Sequence, residues 1–190
     1  MWLSRYCLFF LLLSPLVSMA EEYEFDIKGM HASIDFRIQH LGYSWMSGRF
    51  NRFDGAFSYD EANPAASKVS VTIDTASIDT NHAERDKHLR DVAYLDVKKF
   101  PKATFVSTSF DQNADGTAIL IGDFTFRGIT KPLEIAVTPV GHGADPWFGY
   151  RRGFVGETQF KLTDYGISVS ILGEQSNDIY LTLSVEGIRK

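Results

Sequence analysis

The chain has 190 residues, 44% of them apolar and 14% aromatic, with a formal charge of −5. That apolar content is enough for a hydrophobic core and excludes a disordered chain. The acidic balance argues against a nucleic-acid partner, because phosphate recognition needs a surplus of Lys and Arg.

At the N-terminus Arg5 precedes an apolar run, Leu8 to Leu13 with Leu16 and Val17, and Ser18-Met19-Ala20 places small residues at −3 and −1 of a cleavage point. This is the pattern of a signal peptide over residues 1–20, and it predicts cleavage after Ala20 and export to the periplasm. The competing reading is a membrane anchor, but the run is about half of the ~20 apolar residues a spanning helix needs. Cys7, the single cysteine, lies inside this segment. Residues 21–190 are therefore expected to form a domain with no disulfide, no thiolate nucleophile and no cysteine metal ligand, held together by burial alone.

From Glu21 onward the dominant period is two. Ser33–Gln39 alternates polar and apolar without error, and so do the stretches around Val69/Val71/Ile73, Leu133/Ile135/Val137 and Ile179/Leu181/Leu183/Val185. Strands with one dry face require this pattern. Tyr23–Ile27, Arg49–Tyr59, Lys102–Phe110, Thr117–Arg127 and Gly153–Leu162 fit less cleanly and bring the expectation to about nine strands. Turn residues at Asn63-Pro64, Asn113–Gly116, Gly128–Pro132 and Gly141–Pro146 separate them at short range, which implies antiparallel neighbours. One all-β domain follows, either a barrel or a sandwich. Its apolar faces are rich in phenylalanine. A sandwich would interdigitate these rings between two sheets, whereas a barrel of about eight strands can enclose one apolar ligand.

Ser77 to Phe105 is the one stretch where charge, histidine and helical spacing coincide. Asn81 as N-cap, Glu84 as its capping-box partner, and Leu89, Val92 and Ala93 at helical spacing predict a helix from His82 to about Ala93. Glu84 with His88 and Asp86 with Arg90 stand at i,i+4, as ion pairs on an exposed helix do. His82 and His88 are six residues apart, a rotation of about 240°, so their imidazoles point to different faces, unlike those of an HExxH site. No metal site is expected. A hydrolytic Ser-His-Asp set is not expected either, since there is no Gly-x-Ser-x-Gly.

Several motifs recur in order along the chain. They are His31-x-Ser33-Ile34-x-Phe36-x-Ile38-x-His40-Leu41-Gly42, Gly48-x-Phe50-x-x-Phe53-x-Gly55-x-Phe57, and Ser77-Ile78-Asp79-Thr80 followed by Arg85-Asp86-x-His88-Leu89-Arg90. Phe100-Pro101-x-Ala103-x-Phe105 and Gly122-x-Phe124-Thr125-x-x-Gly128-x-Thr130-Lys131-Pro132 follow. Together they resemble the successive signatures of the YceI family, over about Tyr23 to Ile188. Where many members carry an aromatic followed by Gly-Ile and then a Trp, this chain reads Asp164-Tyr165-Gly166-Ile167-Ser168-Val169.

The resemblance implies an exported, lipocalin-like, extended antiparallel β-barrel of about eight strands with one or two short helices. It further implies an apolar tunnel for a long isoprenoid, such as a polyprenyl phosphate or a quinone tail, with no catalysis and no cofactor. A homodimer is also expected, and an inner-membrane partner is left unidentified. On this reading Phe36, Ile38, Phe53, Phe57, Phe105, Phe124, Phe126 and Phe160 line the lumen, and each methylene they cover contributes about 0.8 kcal/mol. Arg85, His88, Arg90 and Lys131 are the candidates for meeting a polar head at the mouth, against the ordinary reading of each as a solvated surface charge. The alternative function is a non-catalytic stress-response or structural module whose barrel is packed solid.

Overall fold

The computed structural model describes residues 20–190, so the predicted signal peptide, Ala20 apart, lies outside the described residues. The elements in order are β1 (Glu21–Phe25), β2 (Ser33–His40), β3 (Ser44–Phe50), β4 (Phe53–Tyr59), β5 (Lys68–Asp74), β6 (Ile78–Asp79), α1 (Ala83–Arg90), β7 (Lys102–Gln112), β8 (Ala118–Phe126), β9 (Ile129–Ala144), β10 (Tyr150–Lys161) and β11 (Asp178–Arg189). Every pairing is antiparallel, and the order β1-β4-β5-β7-β8-β9-β10-β11 closes on itself through β1 and β11. The fold is a barrel rather than a sandwich.

The barrel has eight positions because three of them are filled by two segments laid end to end. β11 pairs with β2 along Ile179–Ser184 and with β1 along Gly187–Arg189. Likewise β3 continues into β4, and β5 into β6. The expected strand Arg49–Tyr59 is thereby corrected: it breaks at Asn51 and Arg52, because β3 pairs with β2 while β4 pairs with β1 and β5. Two neighbouring breaks are stitched together, since the Asn51 amide donates to the Ser77 carbonyl at 3.1 Å and the Arg52 amide to Ser77 Oγ at 3.0 Å. At the lower end, β6 pairs among the described residues only with β3, and α1 with the chain that follows it fills the space before β7.

Two turn expectations also shift. Arg127 and Gly128, at φ 51° and 75°, make the whole β8–β9 turn. Positive φ at both residues matches the right-handed twist of a tight hairpin, so Ile129–Pro132 belong to β9. Gly141–Ala144 are likewise strand, and the chain reverses at Asp145–Gly149.

The helix is shorter than its pattern and differently capped. His82 is the N-cap, its Nδ1 accepting the Arg85 amide at 3.2 Å, while Asn81 stands outside at φ 59°. Asp86 is buried and accepts from the Thr80 amide at 2.9 Å and Thr80 Oγ1 at 2.5 Å. Arg90 donates to the carbonyls of Ala76 and Ile78 at 2.8 and 2.6 Å. These side chains turn inward and tie α1 to β6. The expected Glu84–His88 and Asp86–Arg90 pairs are absent from the ion pairs of the described residues.

Large inward rings would fill a small barrel unless the wall made room for them. Phe36 lies across its cross-strand partner Gly48, where a Cβ would sit 2.4 Å from the ring, and Phe25 covers Gly55 in the same way at 2.4 Å. Glycine lets the rings lie flat against the wall. A Gly48→Val change should push Phe36 into the lumen and meet the Asp79 carbonyl, which is 2.9 Å from the built Cβ. Overpacking of this kind costs about 1–3 kcal/mol, and thermal denaturation should show a fall of several degrees.

Candidate ligand-binding lumen

The inward face of the sheet encloses two lobes that meet at Ile73, Phe124 and Leu181. The upper lobe has a volume of about 100 Å³ and the lower about 290 Å³. Apart from Ser58, Ser67, Gly156 and Thr158, the upper lining is wholly apolar. A lining of this kind gains nothing from water and favours an apolar occupant. The interior is not packed solid.

Phe36, Ile38, Phe126 and Phe160 lie on the lower lobe, Phe57 and Phe105 on the upper, and Phe124 on both. Phe53 lines neither; it borders an outer groove beside Arg52 and Asp54. The four candidate head-group residues separate in the same way. Arg85 and His88, one helical turn apart on α1, both line the lower lobe. Arg85 donates through Nε to Thr80 Oγ1 at 2.8 Å and through a terminal nitrogen to the Thr80 carbonyl at 2.7 Å. It has no carboxylate partner among the ion pairs of the described residues. Arg90 is committed to the backbone of the β5–β6 turn, and Lys131 sits outside, paired with Asp164 at 2.8 Å. Neither lines a lobe.

Sequence reasoning missed three groups here. Tyr165, 2% exposed, packs its ring 5.6, 5.6 and 5.2 Å from those of Phe124, Phe126 and Phe160. Burial, helped by the neighbouring Asp164 carboxylate, pushes its phenol up to about 12, so it stays protonated. Tyr94 and Leu95, from the chain after α1, close the lower lobe. Arg152 points inward at the upper end, its guanidinium 4.3 Å from the Tyr59 ring centre, with Glu61 as its ion partner and the Tyr23 hydroxyl at 3.4 Å. Its parity with inward-facing Phe154 was the available signal.

A second charged group lies outside the barrel. Arg151 donates to Asp26 at 2.6 Å, to Asp145 at 2.9 Å and to Glu186. Burial opposes ionisation of Asp26, but hydrogen bonds from Arg151, His31 and the Gly29 amide outweigh it and bring its pKa to about 2. Asp26, His31 and Glu186 converge within 4.8 Å, a spacing that could suit a cation. The Arg151 guanidinium already supplies that charge to both carboxylates.

Closed walls, an apolar interior and few polar groups at the ends define a lipocalin-like barrel. Residues 25–187 match the model of the YceI-like domain. A UPF0312 protein of Pseudomonas aeruginosa (strain LESB58) is 55% identical over 173 residues, covering 91% of this chain and 90% of its own. The chain belongs to the YceI family. BcnA of Burkholderia cenocepacia superposes with a TM-score of 0.75 at 19% identity, over 85% of this chain and 98% of its own. A polyisoprenoid-binding domain from Saccharophagus degradans, implicated in plant cell wall breakdown, superposes at 0.64 with 13% identity, over 88% and 98%. Both share the fold.

Proposed function

We propose that the protein binds a long-chain isoprenoid lipid, of polyprenyl phosphate or quinone type, or a similar amphiphile, in its lumen and carries it in the periplasm. The observation that carries this reading is the two-lobed apolar lumen with Arg85 and His88 at one end. An apolar chain passes the waist at Phe124 into the upper lobe, and a polar or anionic head stays beside the Arg85 guanidinium, which has no carboxylate partner among the ion pairs of the described residues. Charge-assisted hydrogen bonds from Arg85 suit a phosphate, and a His88 N–H suits a quinone carbonyl. The isoprenoid class draws support from the polyisoprenoid-binding domain that shares the fold, and the compartment from the export pattern of residues 1–20. Binding, not turnover, is the activity.

Protein purified from its own host and analysed by native mass spectrometry, then by organic extraction, should carry a long-chain isoprenoid or acyl lipid. Protein that arrives empty and also takes up neither polyprenols nor quinones would overturn the reading.

A further inference from the structure

The β9–β10 hairpin runs past the barrel rim. β8 pairs with β9 only as far as Val137, so the remainder of β9 has β10 alone beside it. At the tip, Trp147 and Phe148 are 71% and 102% exposed. Phe148 also holds φ at 68°, a conformation uncommon for a bulky residue. Backbone strain and full side-chain exposure coincide at one residue, and neither contributes to the packing of this fold.

The tip is nevertheless firmly built. Asp145 Oδ1 accepts the amides of Trp147 and Gly149 at 2.9 and 2.8 Å, and Oδ2 accepts Arg151 Nε at 2.9 Å. Arg151, which also lies 5.4 Å from the Trp147 ring centre, is fixed in turn by Asp26 and Glu186. The Arg151–Asp26 contact joins the hairpin to the turn after β1, which leaves Met30 72% exposed. An ion-pair network thus holds two adjacent aromatic side chains out in water.

We propose that this tip is a membrane-interface anchor, in which Trp147 and Phe148 enter the head-group region of a phospholipid bilayer and hold the barrel rim against it. Aromatic side chains bury about 150–250 Å² each, so the pair offers well under the ~800 Å² per partner of a stable protein interface. A point of this size needs a partner that deforms around it. Indole and phenyl rings favour the head-group level of a bilayer. The two arginines beside the tip are engaged, Arg151 by three carboxylates and Arg189 by Glu21, so attachment is apolar and zwitterionic lipid suffices. The anchor stands whether or not the lumen is loaded.

Co-sedimentation of the purified protein with phosphatidylcholine vesicles tests this, with Trp147→Ser/Phe148→Ser as the paired variant. The native protein should bind with little dependence on salt. The variant should bind about tenfold more weakly or worse while keeping the native melting temperature, since both side chains are exposed. In a Trp2→Phe/Trp45→Phe background, which leaves Trp147 as the one tryptophan, brominated phosphatidylcholine should quench its fluorescence. Native protein that stays in solution at millimolar lipid, or a variant that binds as well as the native chain, overturns the proposal. So does a tip-dependent dimer in sedimentation velocity without vesicle binding, which would assign the tip to self-association. Lipid extraction reads the lumen separately, so failure of one reading leaves the other standing.

Discussion

Replacing Ala103 with Trp should leave the barrel folded and its lumen unable to load lipid. Ala103 is 2% exposed on β7 and faces the lower lobe, whose volume is about 290 Å³. An indole built there projects into space that an apolar chain would need, close to the route from Arg85 to the waist at Phe124. Overpacking should cost about 1–3 kcal/mol, a loss that a domain of this size survives. The measurement is lipid recovered per mole of protein after organic extraction, read beside circular dichroism. Native-like circular dichroism with lipid recovery down by about tenfold or more is the expected pair of results. Undiminished lipid in a folded variant would place the ligand elsewhere.

Replacing Arg151 with Met should produce the largest loss of stability outside the core. The substitution strands Asp26, which is 4% exposed, next to Asp145 and Glu186 with no guanidinium between them. Leaving a buried carboxylate without its cation costs about 3 kcal/mol, measurable as a lower urea midpoint at pH 7. The pH dependence has a definite sign. Asp26 falls from an ordinary 3.8 to about 2 in the folded protein. A depressed carboxylate contributes stability above its unfolded pKa and loses that contribution as pH falls through the folded value. The native protein should therefore weaken between about pH 4 and pH 2. In the variant, protonation relieves repulsion instead, so the gap between the two proteins should narrow across that window. A constant gap would show that Arg151 acts through packing alone.

The sequence was most legible where one rule acted alone. Unbroken alternation at Ser33–Gln39 gave β2, and the alternation at Ile179–Val185 gave the middle of β11, because inward and outward residues answer to burial and little else. It was misleading where the backbone had two claims on it. In Arg49–Tyr59 the alternation changes phase between Phe50 and Phe53, a local sign of the break at Asn51 and Arg52, but that β3 and β4 then pair with different neighbours is set by the whole barrel. The site divided along similar lines. Parity placed Phe36, Phe57 and Phe124 on inward faces, but the same rule could not show that Phe53, though packed against the core, borders neither lobe. Arg90 and Arg85 look alike in sequence and both donate to backbone carbonyls, yet only Arg85 also lines the lumen, a distinction fixed by how α1 docks on β6. Tyr165 lay in a segment with no period, so only the folded chain could bring it to Phe124 and Phe160.

The unequal closure of the two ends has a consequence for what the protein can accept. At the upper end β11, β1 and β4 are laddered in turn, and β5 is held to β7 by its ladder as far as Ser70 and then by the Val69 amide donating to Ser107 Oγ at 2.8 Å, so the bore is fixed by hydrogen bonds and can widen only by breaking them. At the lower end the ladder stops at β6, where α1 with its following chain stands in for the missing stave, and β9 parts from β10 beyond Ala136 and Glu157. A change in girth there displaces side-chain contacts and leaves the ladder whole, so that end can adjust to occupants of different thickness while the other gauges a single chain.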